Sequence, residues 1–335
     1  MPITLGQITG ELRDVREWTA QINTATPTIS NTKVMSGAYS IRCGNVSNQA
    51  SVGHLFAAQS GVRCGCWLNH LGVGTGTFAY IFVLRDNGAE VVSVRWYRVT
   101  ATIELYVNGA QVDSISVASS GMSATDTWTH LGLAYLADNT VTFYVNGLPV
   151  LSAPAPVPQI NEAFVGGGNF GWANYAYFDD FYIDGDISVD EAPPPDRFLF
   201  SLTNAAGSAA QWSPVGAANN YECVDDAVPN NDTDYVIANS AGLIDLHNTA
   251  NVTLPTDYKV SAVLPVALAR AMAAGPTIKL KASDGTNQTT GSAQTMGTSY
   301  AYYYDYLPLA PDGAAWNETK INSAQFGYES AGTFS

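Results

Sequence analysis

The chain writes one strand-and-turn phrase twice, ELYVNG at 104–109 and TFYVNG at 142–147. An Asn-Gly pair between β-branched and aromatic runs is the strongest short-range hairpin signal, because a type I′ turn needs positive φ at both central positions. Around these phrases TFAYIFVLRD (77–86), EVVSVRWYRV (90–99), TIELYVNG (102–109) and QVDSISVAS (111–119) have strand composition and are cut by DNG, NG and SSG turns. Helical periodicity is nearly absent, and ELRDVREW (11–18) reads as a short helix or an irregular arm. The chain is therefore expected to be all-β. The two phrases are expected to be adjacent arms of one curved antiparallel sheet, with Tyr106 and Tyr144 on one face and Val107 and Val145 on the other. Nothing in the phrase is a nucleophile or a base, so the hairpin is expected to build a wall rather than to do chemistry.

At 191–196 comes EAPPPD, and three consecutive prolines continue neither a ladder nor a helix. They are read as a stiff spacer. The 335 residues exceed one ordinary domain. The predicted organisation is an N-terminal arm (1–27), a first β-sandwich (28–190), the Pro-rich linker (191–196) and a second β-sandwich (197–335), both antiparallel and jelly-roll-like. In the second half TIKLKASDG (277–285) alternates cleanly, SYAYYYDYLPL (299–309) carries tyrosines on both faces, and AWNETKINSA allows one helical turn. The acidic residues Asp225, Asp226, Asp232 and Asp234 read as turn residues that bond locally.

The net charge of −15 repels nucleic acid and anionic membrane, and there is no basic run to reverse that locally. No apolar stretch is long enough for a membrane span, so no membrane insertion is expected. MPITLGQITGELRD lacks a basic region followed by an apolar one, so no export leader is expected. The four cysteines include Cys64 and Cys66 at i and i+2, where one strand face puts both in a core; a zinc site would want paired C-x-x-C motifs.

WTHLGLAYLADNTVTFYVNG (128–147), with GAYSIRC (37–43) before it and FDDFYIDGD (178–186) after it, resembles the concanavalin A-like lectin/glucanase sandwich, its laminin-G and pentraxin relatives in particular. The resemblance covers about residues 28–190 and implies a lectin-type domain. It implies Ca²⁺ at the acidic pair Asp179 and Asp180, with no cofactor required. Glucanases of this kind use an E-x-D-x-E strand to bring two carboxylates to one bond; this chain has none, and Glu104 and Glu162 are scattered, so no catalytic residues and no enzyme are expected. A sugar would instead meet the aromatic and amide side chains of NFGWANYAY: Asn169, Phe170, Trp172, Asn174, Tyr175 and Tyr177.

The second half, from RFLFSLTNAAGSAAQWSPVGAANNYECVDD through DTDYV to AAWNETKINSAQFGYES, is similar to a module of tailed-bacteriophage structural proteins. Together the two resemblances imply a non-enzymatic virion protein: a head decoration, fibre or tail appendage. Its partners would be other virion proteins, further copies of itself as a homo-oligomer, and a host surface glycan. It would be made in the host cytoplasm and released by lysis. The alternative is a carbohydrate-binding module of a cellular protein.

Overall fold

A computed structural model describes residues 3–8, 27–43, 50–70, 78–97, 99–122, 125–155, 159–167, 176–185 and 192–334. It divides into two units, Met1–Phe198 and Leu199–Ser335. The regular structure of the described residues is almost all strand, and the sheets are antiparallel, as the turn-punctuated pattern requires.

The strands of the first unit are β1 (Ile3–Ile8), β2 (Thr28–Ser30), β3 (Ser40–Cys43), β4 (Ser51–Gln59), β5 (Val62–His70), β6 (Phe78–Asp86), β7 (Ala89–Tyr97), β8 (Thr102–Val107), β9 (Ala110–Ser116), β10 (Thr129–Tyr135), β11 (Thr140–Val145), β12 (Leu148–Pro154), β13 (Ile160–Gly166) and β14 (Ala176–Gly185). One sheet of eight strands runs β12-β11-β10-β5-β14-β3-β2, with β1 also pairing β14; the other, of six, runs β4-β13-β6-β7-β8-β9. They stack as a sandwich. Cys64, Cys66, Leu131, Leu133, Phe143 and Phe178 of the first sheet meet Ile81, Phe82, Val94, Ile103 and Leu105 of the second in one buried core. The rings of Phe82 and Phe143 meet across it at 6.4 Å. Two sheets each give up one face to a shared apolar layer, so inward residues alternate with outward ones along each strand.

Three Asn-Gly pairs close two-residue hairpins, with φ of 47° and 83° at Asn87 and Gly88, 48° and 79° at Asn108 and Gly109, and 49° and 79° at Asn146 and Gly147. The two YVNG phrases are not neighbours in one sheet. The first joins β8 to β9 at the edge of the six-stranded sheet, and the second joins β11 to β12 at the edge of the eight-stranded one. Their return strands touch across the sandwich, where the Ser152 N–H donates to Asp113 Oδ2 at 3.0 Å. Local pattern specified both hairpins, but non-local pairing put them in opposite layers. Part of the N-terminal segment read as an arm is strand: Ile3–Ile8 pairs with β14. The stretch 11–18 lies outside the described residues.

The proline run does not stand free of the first unit. Pro193 is buried, and residues 192–198 lie on the outer face of the eight-stranded sheet, where the Tyr182 hydroxyl donates to the Pro194 carbonyl at 2.8 Å.

In the second unit the main sheet orders Thr203–Ala210, Ile244–Thr249, Gln325–Gly332, Pro276–Ser283 and Gln288–Thr290, with Gln294–Thr295 also on Pro276–Ser283. Two ribbons, Ser213–Val215 with Tyr235–Ile237 and Val266–Ala269 with Ala301–Tyr304, supply further strands. Ile278, Leu280, Tyr303 and Tyr328 form one apolar cluster, and Ala282, Leu307, Ala324 and Trp316 a second. The expected helical turn is present as α1 (Glu318–Ser323), capped by the Asn317 side chain, which accepts the Lys320 N–H at 2.9 Å. In the acidic turn region, Asp232 receives Arg270 at 2.9 Å and the Tyr300 hydroxyl at 2.8 Å.

Candidate functional site

Alternation on three neighbouring strands builds a polar and aromatic cluster on the outer face of the six-stranded sheet. Along β7, Val92, Val94 and Trp96 enter the core, so Ser93, Arg95 and Tyr97 face out. Along β8, Ile103, Leu105 and Val107 enter the core, leaving Thr102, Glu104 and Tyr106 outside. Phe78 and Tyr80 extend the set onto β6. Register places Tyr80, Arg95 and Glu104 in one cross-strand row and Phe78, Tyr97 and Thr102 in the next.

Arg95 is the hub. Its guanidinium lies 3.8 Å from the centre of the Tyr106 ring, 5.0 Å from Phe78 and 5.3 Å from Tyr80. Its Nη2 donates to Glu90 Oε1 at 2.7 Å and its Nε to Ser93 Oγ at 2.9 Å. Glu90 also receives the Ser93 hydroxyl at 2.6 Å and the Tyr80 hydroxyl at 2.9 Å. Burial would raise the Glu90 pKa, but these hydrogen bonds and the Arg95 charge hold it below the usual carboxylate value. Burial and the Glu90 charge push Tyr80 up to about 12.

A second chain of bonds runs along the rim. The Tyr106 hydroxyl donates to Glu104 Oε2 at 2.9 Å, so its contact with the Tyr97 hydroxyl, also 2.9 Å, takes the Tyr97 proton. Thr102 donates to Glu104 Oε1 at 2.8 Å. The Tyr97 and Tyr106 rings stack at 6.2 Å and 22°, and Phe78 leans on Tyr97 at 5.3 Å. At neutral pH this face holds an ionised Glu90, a charged Arg95 and protonated Tyr80 and Tyr106: rings fringed with fixed hydroxyls and carboxylate oxygens.

The expected sugar-contacting residues Asn169, Phe170, Trp172, Asn174 and Tyr175 lie outside the described residues. Tyr177 lies in β14, 6% exposed, paired with Arg42 and Asn69, so its ring is covered rather than offered to a ligand. Asp179 and Asp180 are buried at a bulge of β14, with Asp180 at φ 51°. Their oxygens are engaged by protein donors. Asp179 accepts the N–H groups of Met35, Ser36 and Asp180, and Asp180 accepts the Ser36 hydroxyl and the Phe198 N–H. Burial and the neighbouring Asp180 charge push Asp179 well above the usual carboxylate value, against the pull of its three N–H donors. This donor set does not suit Ca²⁺: a cation would face hydrogens where it needs lone pairs. Among the described residues no group of three or more His, Cys, Asp and Glu side chains could hold a metal ion.

The glutamate read as scattered, Glu104, belongs to the cluster, and so does Tyr106 of the first YVNG phrase. The signal was available: alternation puts Ser93, Arg95 and Tyr97 on one face of one strand, and Thr102, Glu104 and Tyr106 on one face of the next.

Residues 64–188 match the family model described as the concanavalin A-like lectin/glucanases superfamily. No curated protein matches the chain. Among solved structures, the chain is similar to a cellulose induced protein, Cip1, at 15% identity and a TM-score of 0.41, over 50% of this chain and 88% of that one. It is also similar to a Bacillus subtilis protein of unknown function with a galectin-like fold, at 13% identity and a TM-score of 0.38, over 56% of this chain and 100% of that one. A third, a conserved carbohydrate esterase from the Shiga toxin-encoding bacteriophage phi24B, is 11% identical with a TM-score of 0.39, over 56% of this chain and 100% of that one. Residues 64–188 are thus similar to the concanavalin A-like lectin/glucanase superfamily.

Proposed function

We propose that the first unit binds a glycan on the outer face of its six-stranded sheet and that the protein acts by adhesion rather than catalysis. The observation that carries this reading is the cluster of Phe78, Tyr80, Tyr97 and Tyr106 around an Arg95 already neutralised by Glu90. A sugar ring has an apolar C–H face and a rim of hydroxyls. Aromatic rings accept the first, and the phenol hydroxyls at their rim bond the second. Because Arg95 is paired with Glu90, its charge is already offset within the cluster, and a neutral glycan suits it best. Glu90 is held ionised and Tyr80 protonated, which favours a fixed binding surface over a proton-transfer site.

The setting we infer is a tailed-phage particle, where the protein would be a head decoration, fibre or tail appendage. Support comes from the sequence pattern of the second unit and from a composition poor in charge, 13% of residues. Other virion proteins, further copies of the chain and a host glycan are the partners of this reading. The test is a glycan array probed with the full chain and with Tyr97→Ala. A neutral-glycan signal lost in the variant supports the reading, and an equal signal from both removes this face from it. Immunogold labelling of particles from the source decides the setting: gold on heads, fibres or tails supports a virion protein, and unlabelled particles favour a cellular carbohydrate-binding module.

A further inference from the structure

The outer face of the other sheet carries a second surface, independent of the first. Register aligns Tyr182 of β14, Gly65 of β5, Gly132 of β10 and Tyr144 of β11 in one cross-strand row. The Tyr182 ring lies across Gly65, and Tyr144 stands on the far side of Gly132, which leaves a trough over Gly132 with a tyrosine on each side. The trough needs those glycines. A Cβ on Gly65 would stand 2.6 Å from the Tyr182 ring, and one on Gly132 would stand 2.5 Å from Cγ of Pro193.

Residues 192–198 occupy this trough. Ala192 joins Ala134, Leu136 and Tyr144 in an apolar cluster at one end. Pro193 sits over Gly132. The Tyr182 hydroxyl donates to the Pro194 carbonyl at 2.8 Å, and Trp67 Nε1 donates to the Asp196 carbonyl at 3.0 Å. Arg197 lies 5.6 Å from the Trp67 ring centre, and the Phe198 N–H closes the far end on Asp180 at 3.0 Å. Ala192, Pro193 and Pro194 each precede a proline, which biases them away from the helical region and towards extended, polyproline-type backbone. Such a segment has no internal hydrogen bonds, so its carbonyls project outward and are free to accept. Here an indole and a phenol take two of them at alternate residues while a proline ring fills a slot. That is how aromatic-lined grooves recognise proline-rich segments.

We propose that the outer face of the eight-stranded sheet is a polyproline-binding groove, occupied in cis by residues 192–198 of the same chain. The segment is a ligand held by its own domain, and it can be displaced by an extended proline-rich peptide of the same chemistry.

Two measurements on the full chain test this. In the first, amide hydrogen exchange is compared between the wild type and a Trp67→Phe, Tyr182→Phe variant, which loses both carbonyl donors. The Phe198 amide is expected to exchange at least about tenfold faster, with Leu131 and Leu133 of the same sheet unchanged. In the second, Pro193→Gly, Pro194→Gly and Pro195→Gly are combined, which loosens the segment and leaves the groove whole. The synthetic peptide APPPDRF is then titrated while the Trp67 indole N–H resonance is followed. A shift in this variant at peptide concentrations that leave the wild type unmoved supports occupancy in cis. No shift in the folded variant at millimolar peptide, an equal shift in the wild type, or unchanged Phe198 exchange in the first experiment would overturn the proposal.

Discussion

Single side chains on the two outer faces do distinct work, and substitutions separate it. Tyr106→Phe keeps the ring under Arg95 and removes one hydroxyl, which both donates to Glu104 and accepts from Tyr97. A hydrogen bond contributes about 1 kcal/mol net, and more where an acceptor is left bare. The expected result is about 1 kcal/mol lower stability in urea, with glycan retention reduced but not abolished. Tyr106→Ala also removes the ring and is expected to abolish retention. Equal retention by wild type and Tyr106→Ala would count against the outer face of β8 as the ligand surface. Gly65→Ala probes the other face. Its Cβ has nowhere to go unless the Tyr182 ring lifts, so an overpacking cost of roughly 1–3 kcal/mol is expected. Tyr182→Ala made in the same chain should recover part of that loss, because the obstructing ring is gone.

Elements show which features were readable from local sequence. The turns were. Gly109 and Gly147 both sit at φ 79° with nothing within 4 Å of an added Cβ, so only backbone conformation demands glycine there. Gly109→Ala and Gly147→Ala are each expected to cost on the order of 1 kcal/mol by thermal or urea unfolding. Near-neutral results would mean that the turns tolerate a Cβ and that the strands alone set the register. The helical turn at Glu318–Ser323 was equally legible through its Asn317 cap. Strand neighbours were not. Alternation tells which residues share a face of one strand, but it does not say that β10 pairs with β5 or that β14 lies between β5 and β3. Local pattern alone therefore places the two YVNG phrases in one sheet, whereas they close opposite layers. For the same reason Trp67, Gly65, Gly132 and Tyr182, spread over three strands, gave no sign that a groove runs between them. The proline run was legible as extended chain, but its resting place depends on a sheet face that only long-range pairing creates. The outer cluster lay closer to hand, because β7 and β8 are consecutive strands and Arg95 and Glu104 face the same way across one turn.

At the scale of the first unit, buried titratable groups set a pH dependence with two limbs. His70 and His130 are buried, and burial pushes both down to about 4; His130 also lies edge-on to Trp67 at 5.2 Å, beneath the proline segment. Unfolded histidine titrates near 6.5. Between about 6.5 and 4 the unfolded chain therefore binds protons at these positions that the folded chain refuses. Stability from the two groups is fully present above about 6.5 and is lost as pH falls through that window, at about 1.4 kcal/mol per pH unit for each. Asp179 has the opposite sign. Burial and Asp180 raise its folded pKa, so the folded chain keeps a proton that the unfolded chain releases above the ordinary carboxylate value of about 4. Its contribution declines as pH rises from there. Asp196 adds to this limb, raised by burial and by Asp184. Across the histidine window two groups oppose the carboxyls, and above it, short of the range about 8.5 where unfolded thiols begin to ionise and the buried Cys43, Cys64 and Cys66 do not, the carboxyls act alone. Stability is therefore expected to peak near pH 6.5 and to fall on both sides, as measured by urea midpoints between about pH 4 and 7.5. Asp179→Asn separates the limbs. Its amide stays neutral at every pH, so the alkaline decline should flatten while the acid limb persists. An alkaline limb of unchanged slope in Asp179→Asn would mean that this carboxyl is ionised in the folded protein, with its three N–H donors outweighing burial.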